Sequence, residues 1–172
     1  VARGSVDPPV TGVQISVDLD GRPGDQDLES QGGVAPGQEI VLEVYASGLE
    51  DLTGAGVTVS YDSSQVYLRT FEPGNHVLNM GAGTVLFLCQ IEPEIPSVEL
   101  GGAVMGATSA TAVTGAGLLG RFHFTTLEEF VGEAQFTVSQ VLLNPLSDAT
   151  VLELFPCIEL PAVNVDVHLT VL

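Results

Sequence analysis

The chain has 172 residues, 45% of them hydrophobic, and a mean hydropathy of +0.36, which suits one packed domain and excludes a disordered acidic tail. Against 22 Asp and Glu stand 4 Arg and no Lys, a formal charge of −18, so nucleic acid and anionic membrane surfaces are excluded as partners and calcium is the natural counter-ion. No apolar run reaches the roughly 18 residues of a membrane-spanning helix, and Val1 to Ser5 has no signal-peptide core.

Apolar and polar residues alternate along most of the chain, with 20 Gly and 10 Pro as punctuation, the signature of an all-β sandwich or barrel. The first strand is expected over Val13 to Leu19, followed by an acidic, Gly-rich loop from Asp20 to Gly37. Strands over Glu39 to Ala46 and Gly54 to Tyr61 turn Ile40, Leu42, Val44, Val57 and Val59 inward. After a turn at Asp62-Ser63-Ser64 come strands over Val66 to Phe71, Thr84 to Ile91 and Val98 to Ala107. Leu118 to Thr125 alternates again, and Leu127 to Val131 fits one helical turn. Extended segments at Ala134 to Leu143 and Val151 to Ile158 precede the cleanest alternation, Val163 to Val171. Nine or ten strands without a fixed repeat are most economically packed as two sheets around one core.

The segment from Val34 to Asn75 resembles the front half of a cohesin domain: a Pro36-Gly37 turn, the strand Ile40 to Ala46, a polar link from Gly48 to Leu52, and a strand ending in Tyr61-Asp62. Gly117 to Pro145 resembles the late strand pair of that family. The similarity spans residues 34–145 and implies one nine-stranded jelly-roll β-sandwich domain over residues 1–172, with an acidic insertion at 20–37. It also implies a secreted or cell-surface, bacterial or archaeal, non-catalytic module that binds a dockerin-type protein. Cohesins bind through one sheet face, which on this chain implies Gly56, Thr58 and Ser60 on one strand and Leu86, Leu88 and Gln90 on another. Type I cohesins carry Asn and Asp where Gly54 and Gly56 stand here, a departure from ordinary dockerin recognition. Tyr61 is expected to place its ring in the core, and Asp62 to accept from a backbone N–H two residues on.

Asp18, Asp20, Asp25 and Asp27 form the candidate calcium site, four carboxylates spaced by Gly21 and Gly24; hard oxygen ligands of this kind suit calcium, although the spacing is not that of an EF-hand. Gly115, Gly117 and Gly120 match Gly-x-Gly-x-x-Gly, but a strand follows rather than the helix a dinucleotide site requires. His123 and His168 read as surface imidazoles on polar strand faces, with Tyr45 and Tyr67 the exposed aromatics. No nucleophile elbow or zinc-protease motif is present, and adjacent acids such as Glu128 and Glu129 are expected in so acidic a chain, so no enzyme is expected. Cys89 and Cys157 are compatible with a disulfide or with two buried thiols. The alternatives to protein binding are a polysaccharide-binding module, disfavoured by the absence of Trp, and a structural or adhesin spacer.

Overall fold

The computed structural model describes residues 12–19, 31–74, 84–92, 96–105, 108, 112–131, 133–145, 158–160 and 163–171. Ten strands are formed among them and no helix. They are β1 (Gln14–Asp18), β2 (Gln31–Val34), β3 (Glu39–Tyr61), β4 (Val66–Pro73), β5 (Thr84–Glu92), β6 (Ser97–Met105), β7 (Val113–Thr126), β8 (Glu133–Pro145), β9 (Ile158–Leu160) and β10 (Val163–Val171). Of the ten extended segments expected, two merge, and Val151 to Cys157 lies outside the described residues; two short strands are additional. The expected strands at 39–46 and 54–61 are one strand of 23 residues, and β2 and β9 are short strands of their own. β2 occupies residues that read as loop and pairs in parallel with β10.

β3 belongs to both layers. Its first part, residues 39–52, pairs with β1 and β7, and β7 carries β4 on its far side. Its second part, from residue 54, lies between β6 and β8; β5 extends the β6 side, and β9, β10 and β2 extend the β8 side. The polar link between the parts keeps its pairing: Leu49 faces Gly115, Leu52 faces Val113, and the Asp51 amide donates to Thr114 Oγ1 at 3.1 Å. Successive register shifts at Ala46, Leu49 and Leu52 let the strand bend there. Gly48 takes φ +70°, and a Cβ on it would collide with the Gly12 carbonyl, so only glycine suits this bend.

Alternation fills the space between the layers. Leu42, Val44, Val57, Val59, Leu100, Phe122, Phe124, Phe136 and Val141 are all buried. Phe124 on β7 meets Tyr61 on β3 at 5.0 Å and Phe136 on β8 at 4.8 Å between ring centroids, both tilted. Each such pair adds about 0.5–1.5 kcal/mol beyond its burial. Gly120 on β7 lies so near Leu100 on β6 that an added Cβ would sit 2.9 Å from Leu100 Cδ2. The two layers therefore face one another as a sandwich.

The turns follow their side chains. Thr126 Oγ1 donates to the Ala35 carbonyl at 2.8 Å and accepts from the Gln38 amide at 3.0 Å, fixing the Pro36-Gly37 turn. Asp62 Oδ1 accepts from the Ser64 amide at 2.9 Å, as its position after Tyr61 implied. Residues 127–130 form a single turn closed by Phe130 N–H to the Leu127 carbonyl. The Gly-x-Gly-x-x-Gly match lies inside β7. Phe124→Ala is expected to cost about 3–5 kcal/mol, because the ring is fully buried between two partners; urea unfolding of the pair of proteins measures it.

Candidate functional site

On β8, β3 and β6, which run side by side with β5 beyond β6, residues alternate between the core and the outer face. On β3, Ala55, Val57 and Val59 are buried while Gly56, Thr58 and Ser60 are half-buried on the opposite face. On β6, Val98 and Leu100 are buried, Glu99 is exposed and Gly101 is half-buried. On β8, Val141 and Leu143 are buried, with Gln140 and Leu142 half-buried. The register aligns these positions in rows across four strands. One row is Gln140, Thr58, Glu99, Gln90; the next is Leu142, Gly56, Gly101, Leu88. Leu86 lies one step further, opposite Ala103, which pairs with Gly54. The six residues expected on a binding face from the resemblance thus lie on β3 and β5, either side of β6: Gly56 and Thr58 share rows with Leu88 and Gln90, while Ser60 and Leu86 fall in the rows beyond.

A bulge sharpens one corner of this face. Between Thr58 and Val59 the pairing to β8 shifts by one residue, leaving Ser139 unpaired. Its hydroxyl lies 3.2 Å from Ser60 Oγ and donates to the Thr58 carbonyl at 3.3 Å. Among the described side chains this face bears the hydroxyls of Thr58, Ser60 and Ser139, the amide of Gln140, the half-buried Leu142 and the exposed carboxylate of Glu99.

The outer face of the first layer is different. Glu43 sits at a position whose alternation reads as solvent-facing, yet it is fully buried. Arg121 explains it: Nε donates to Glu43 Oε1 at 2.6 Å, Nη2 pairs with the same oxygen, and Nη1 reaches Glu72 Oε2 at 3.3 Å. Tyr45 Oη donates to the other Glu43 oxygen at 3.3 Å. In the strand register the row reads Asp18, Glu43, Arg121, Glu72. His123 lies alongside, with Nδ1 3.2 Å from Glu39 Oε1 and Nε2 3.6 Å from Glu72 Oε1. It is a held, largely covered imidazole rather than the free surface group its position suggested. Tyr45 is likewise half-buried, whereas Tyr67 is 47% exposed. Burial, then the charge and hydrogen bond of Glu43, raise the Tyr45 hydroxyl above its ordinary value. Burial works against the charge on Arg121, but the hydrogen bond and charge of Glu43 raise it above its usual value.

Of the expected calcium ligands, Asp18 is fully buried at the end of β1, opposite Glu43. Asp20, Asp25 and Asp27 lie outside the described residues, as does Cys157. Among the described residues no three His, Cys, Asp or Glu gather closely enough to hold a metal ion, and no helix is long and apolar enough to cross a membrane. The Glu43–Arg121 pair was not legible because its members are far apart in sequence; an acidic residue among inward-facing neighbours on a strand with so few cations was the available signal.

Removing Arg121 strands a buried carboxylate. Arg121→Met is expected to cost about 3–5 kcal/mol, and adding Glu43→Gln to recover much of it, by denaturant unfolding of the single and double variants. The raised Tyr45 value has a definite sign: its stabilisation is complete below pH 10.0, the unfolded value, and is lost as pH rises through the folded one. Melting temperatures measured from neutral to strongly alkaline pH are expected to fall less steeply in Tyr45→Phe than in the native chain.

No protein-family model matches the chain, and no curated protein matches it. Solved structures do. The sixth cohesin of scaffoldin B from Acetivibrio cellulolyticus, solved in complex with a mutant dockerin, is 19% identical, with 78% of this chain and 87% of that one covered at a TM-score of 0.57. A type II cohesin domain from the cellulosome of the same organism is 12% identical, covering 85% of this chain and 94% of that one at 0.60. The cohesin module of a family 33 glycoside hydrolase from Clostridium perfringens is 10% identical, covering 92% and 96% at 0.59. The strands, their pairing and these likenesses agree: the chain has a cohesin-like β-sandwich fold.

Proposed function

We propose that this chain is a non-catalytic, extracellular protein-binding module whose contact surface is the outer face of β8, β3, β6 and β5. The observation that carries the reading is the register that sets Gly56 and Thr58 in line with β5 residues Leu88 and Gln90 through Gly101 and Glu99, with Ser60 and Leu86 one step to either side. With Glu99 the charged residue among these rows, the face is as charge-poor as the core of a protein interface. Solved cohesins of similar fold bound to dockerins support a partner of dockerin type. Sugar binding would draw on exposed aromatic faces, and the well-exposed aromatic among the described residues, Tyr67, lies on β4 in the other layer. Calcium held by Asp18, Asp20, Asp25 and Asp27 belongs to the same reading, supported by the formal charge of −18.

Thr58 stands centrally on this face, between Glu99 and Gln140. The test is titration of a panel of purified dockerin modules against the native chain and Thr58→Arg, in calcium and in chelator. Binding by the native chain, weakened at least a hundredfold in Thr58→Arg with the melting temperature kept, is the expected result. Equal binding by both proteins overturns the face, and no binding by any module overturns the dockerin-type partner. A melting temperature of the unliganded chain that calcium leaves unchanged overturns the metal.

A further inference from the structure

Among the described strands, β1, β2, β4, β5 and β9 each pair along one edge only. Four of these edges are blunted. β1 has five residues and ends on Asp18, β2 has four residues and β9 three. β4 is longer, but its ladder to β7 is broken by a bulge at Arg69, and Glu72 and Pro73 follow. Short length, bulges, charges and proline all oppose edge-to-edge pairing. β5 has none of these devices along its length. It runs nine residues and pairs with β6 from Thr84 to Glu92 without a register shift. Between Glu72 and Glu92 the sequence holds no Asp, Glu, Lys or Arg. An uncovered apolar residue marks the same strand: Ile91 is 52% exposed, although Val98, its partner across the ladder, is fully buried.

A strand edge offers a row of backbone N–H and C=O groups, so its complement is another extended strand. The sequence of β5 fits a copy of itself. Paired antiparallel about a twofold axis at Leu88, two β5 strands use all nine residues. Leu88 then stands opposite Leu88, Phe87 opposite Cys89, Leu86 opposite Gln90, Val85 opposite Ile91 and Thr84 opposite Glu92. No carboxylate falls opposite another, which would destabilise the pair. A formal charge of −18 makes two copies repel where their acidic surfaces meet. The uncharged edge is the place where they can approach.

We propose that two copies of this chain associate through β5, so that β8, β3, β6 and β5 of both form one continuous sheet. The axis stands perpendicular to that sheet, and the outer faces of the two copies lie on the same side. The association does not depend on what those faces bind.

Sedimentation velocity of the whole native chain, from about 1 to about 100 μM, is expected to show a monomer–dimer equilibrium. Leu88→Lys, which sets like charges against each other at the axis, is expected to weaken the dimer at least tenfold, with the far-UV circular dichroism spectrum kept. Crosslinking reads the register independently of that variant. In a chain carrying Cys89→Ala and Cys157→Ala, Leu88→Cys sets two thiols across the axis. Opposed Cα atoms of an antiparallel pair lie about 4.5–5.5 Å apart, within reach of a disulfide. Gln90→Cys and Tyr67→Cys, in the same background, set their thiols out of reach of one another. Mild oxidation is expected to link the Leu88→Cys chains at least tenfold faster than either of the others. A native chain that stays monomeric over the whole range overturns the proposal. A dimer that Leu88→Lys leaves unchanged, or one in which all three thiols link at equal rates, overturns it as well.

Discussion

The fold depends on one strand serving two sheets. β3 forms backbone bonds along both edges in its first part with β1 and β7, and in its second part with β6 and β8. The bend between the parts is what turns one ribbon into opposing layers. It is made from Gly48 in a left-handed conformation, Asp51 at φ 46°, and three register shifts. Buried side chains then close the space: Phe124 from one layer inserts against Tyr61 and Phe136 of the other. The proposed binding face and the Glu43–Arg121 row lie on the two outer surfaces of this arrangement, and both have their geometry from β3.

Much of this was legible in the sequence. Clean alternation located β10 with its bounds, since nothing in Val163 to Val171 interrupts the period of two. Tyr61 and Asp62 behaved as strand end and turn because each acts through short-range chemistry: a ring following two inward valines, and a carboxylate two residues from an amide. Residues 47–53 misled because Gly, Glu and Asp in succession carry the composition of a loop. Their pairing to Val113 and Gly115 is a long-range fact that no local pattern encodes. β2 was hidden for the same reason, its Gly-Gly core having no strand preference of its own.

The outer faces differ in what local patterns reveal. Gly56, Thr58 and Ser60 read correctly as outward, because alternation alone decides which side of a strand a residue takes. Glu43 and His123 also stand at outward positions, yet one is sealed beneath Arg121 and the other is held between Glu39 and Glu72. Outward from the sheet is not the same as exposed to water when a guanidinium and its companions lie over the strand. The acidic composition is therefore not spread evenly as a solvated coat: part is neutralised in one polar layer, while the rows of the opposite face carry little charge.

The shared strand has a consequence for biosynthesis. By the time Tyr61 has been made, all of β3 exists, but its partners β7 and β8 end at Thr126 and Pro145. At about 5–20 residues per second the ribosome needs on the order of ten seconds to supply them. Through that interval the stretches of edge on this long apolar ribbon that β7 and β8 will take stay uncovered, the condition under which nascent β-proteins cohere with their neighbours. The acidic residues behind the full chain's formal charge of −18 are already in excess in unfinished copies and make them repel one another, so the acidity that looks like a property of the finished surface also protects the chain while its central strand waits.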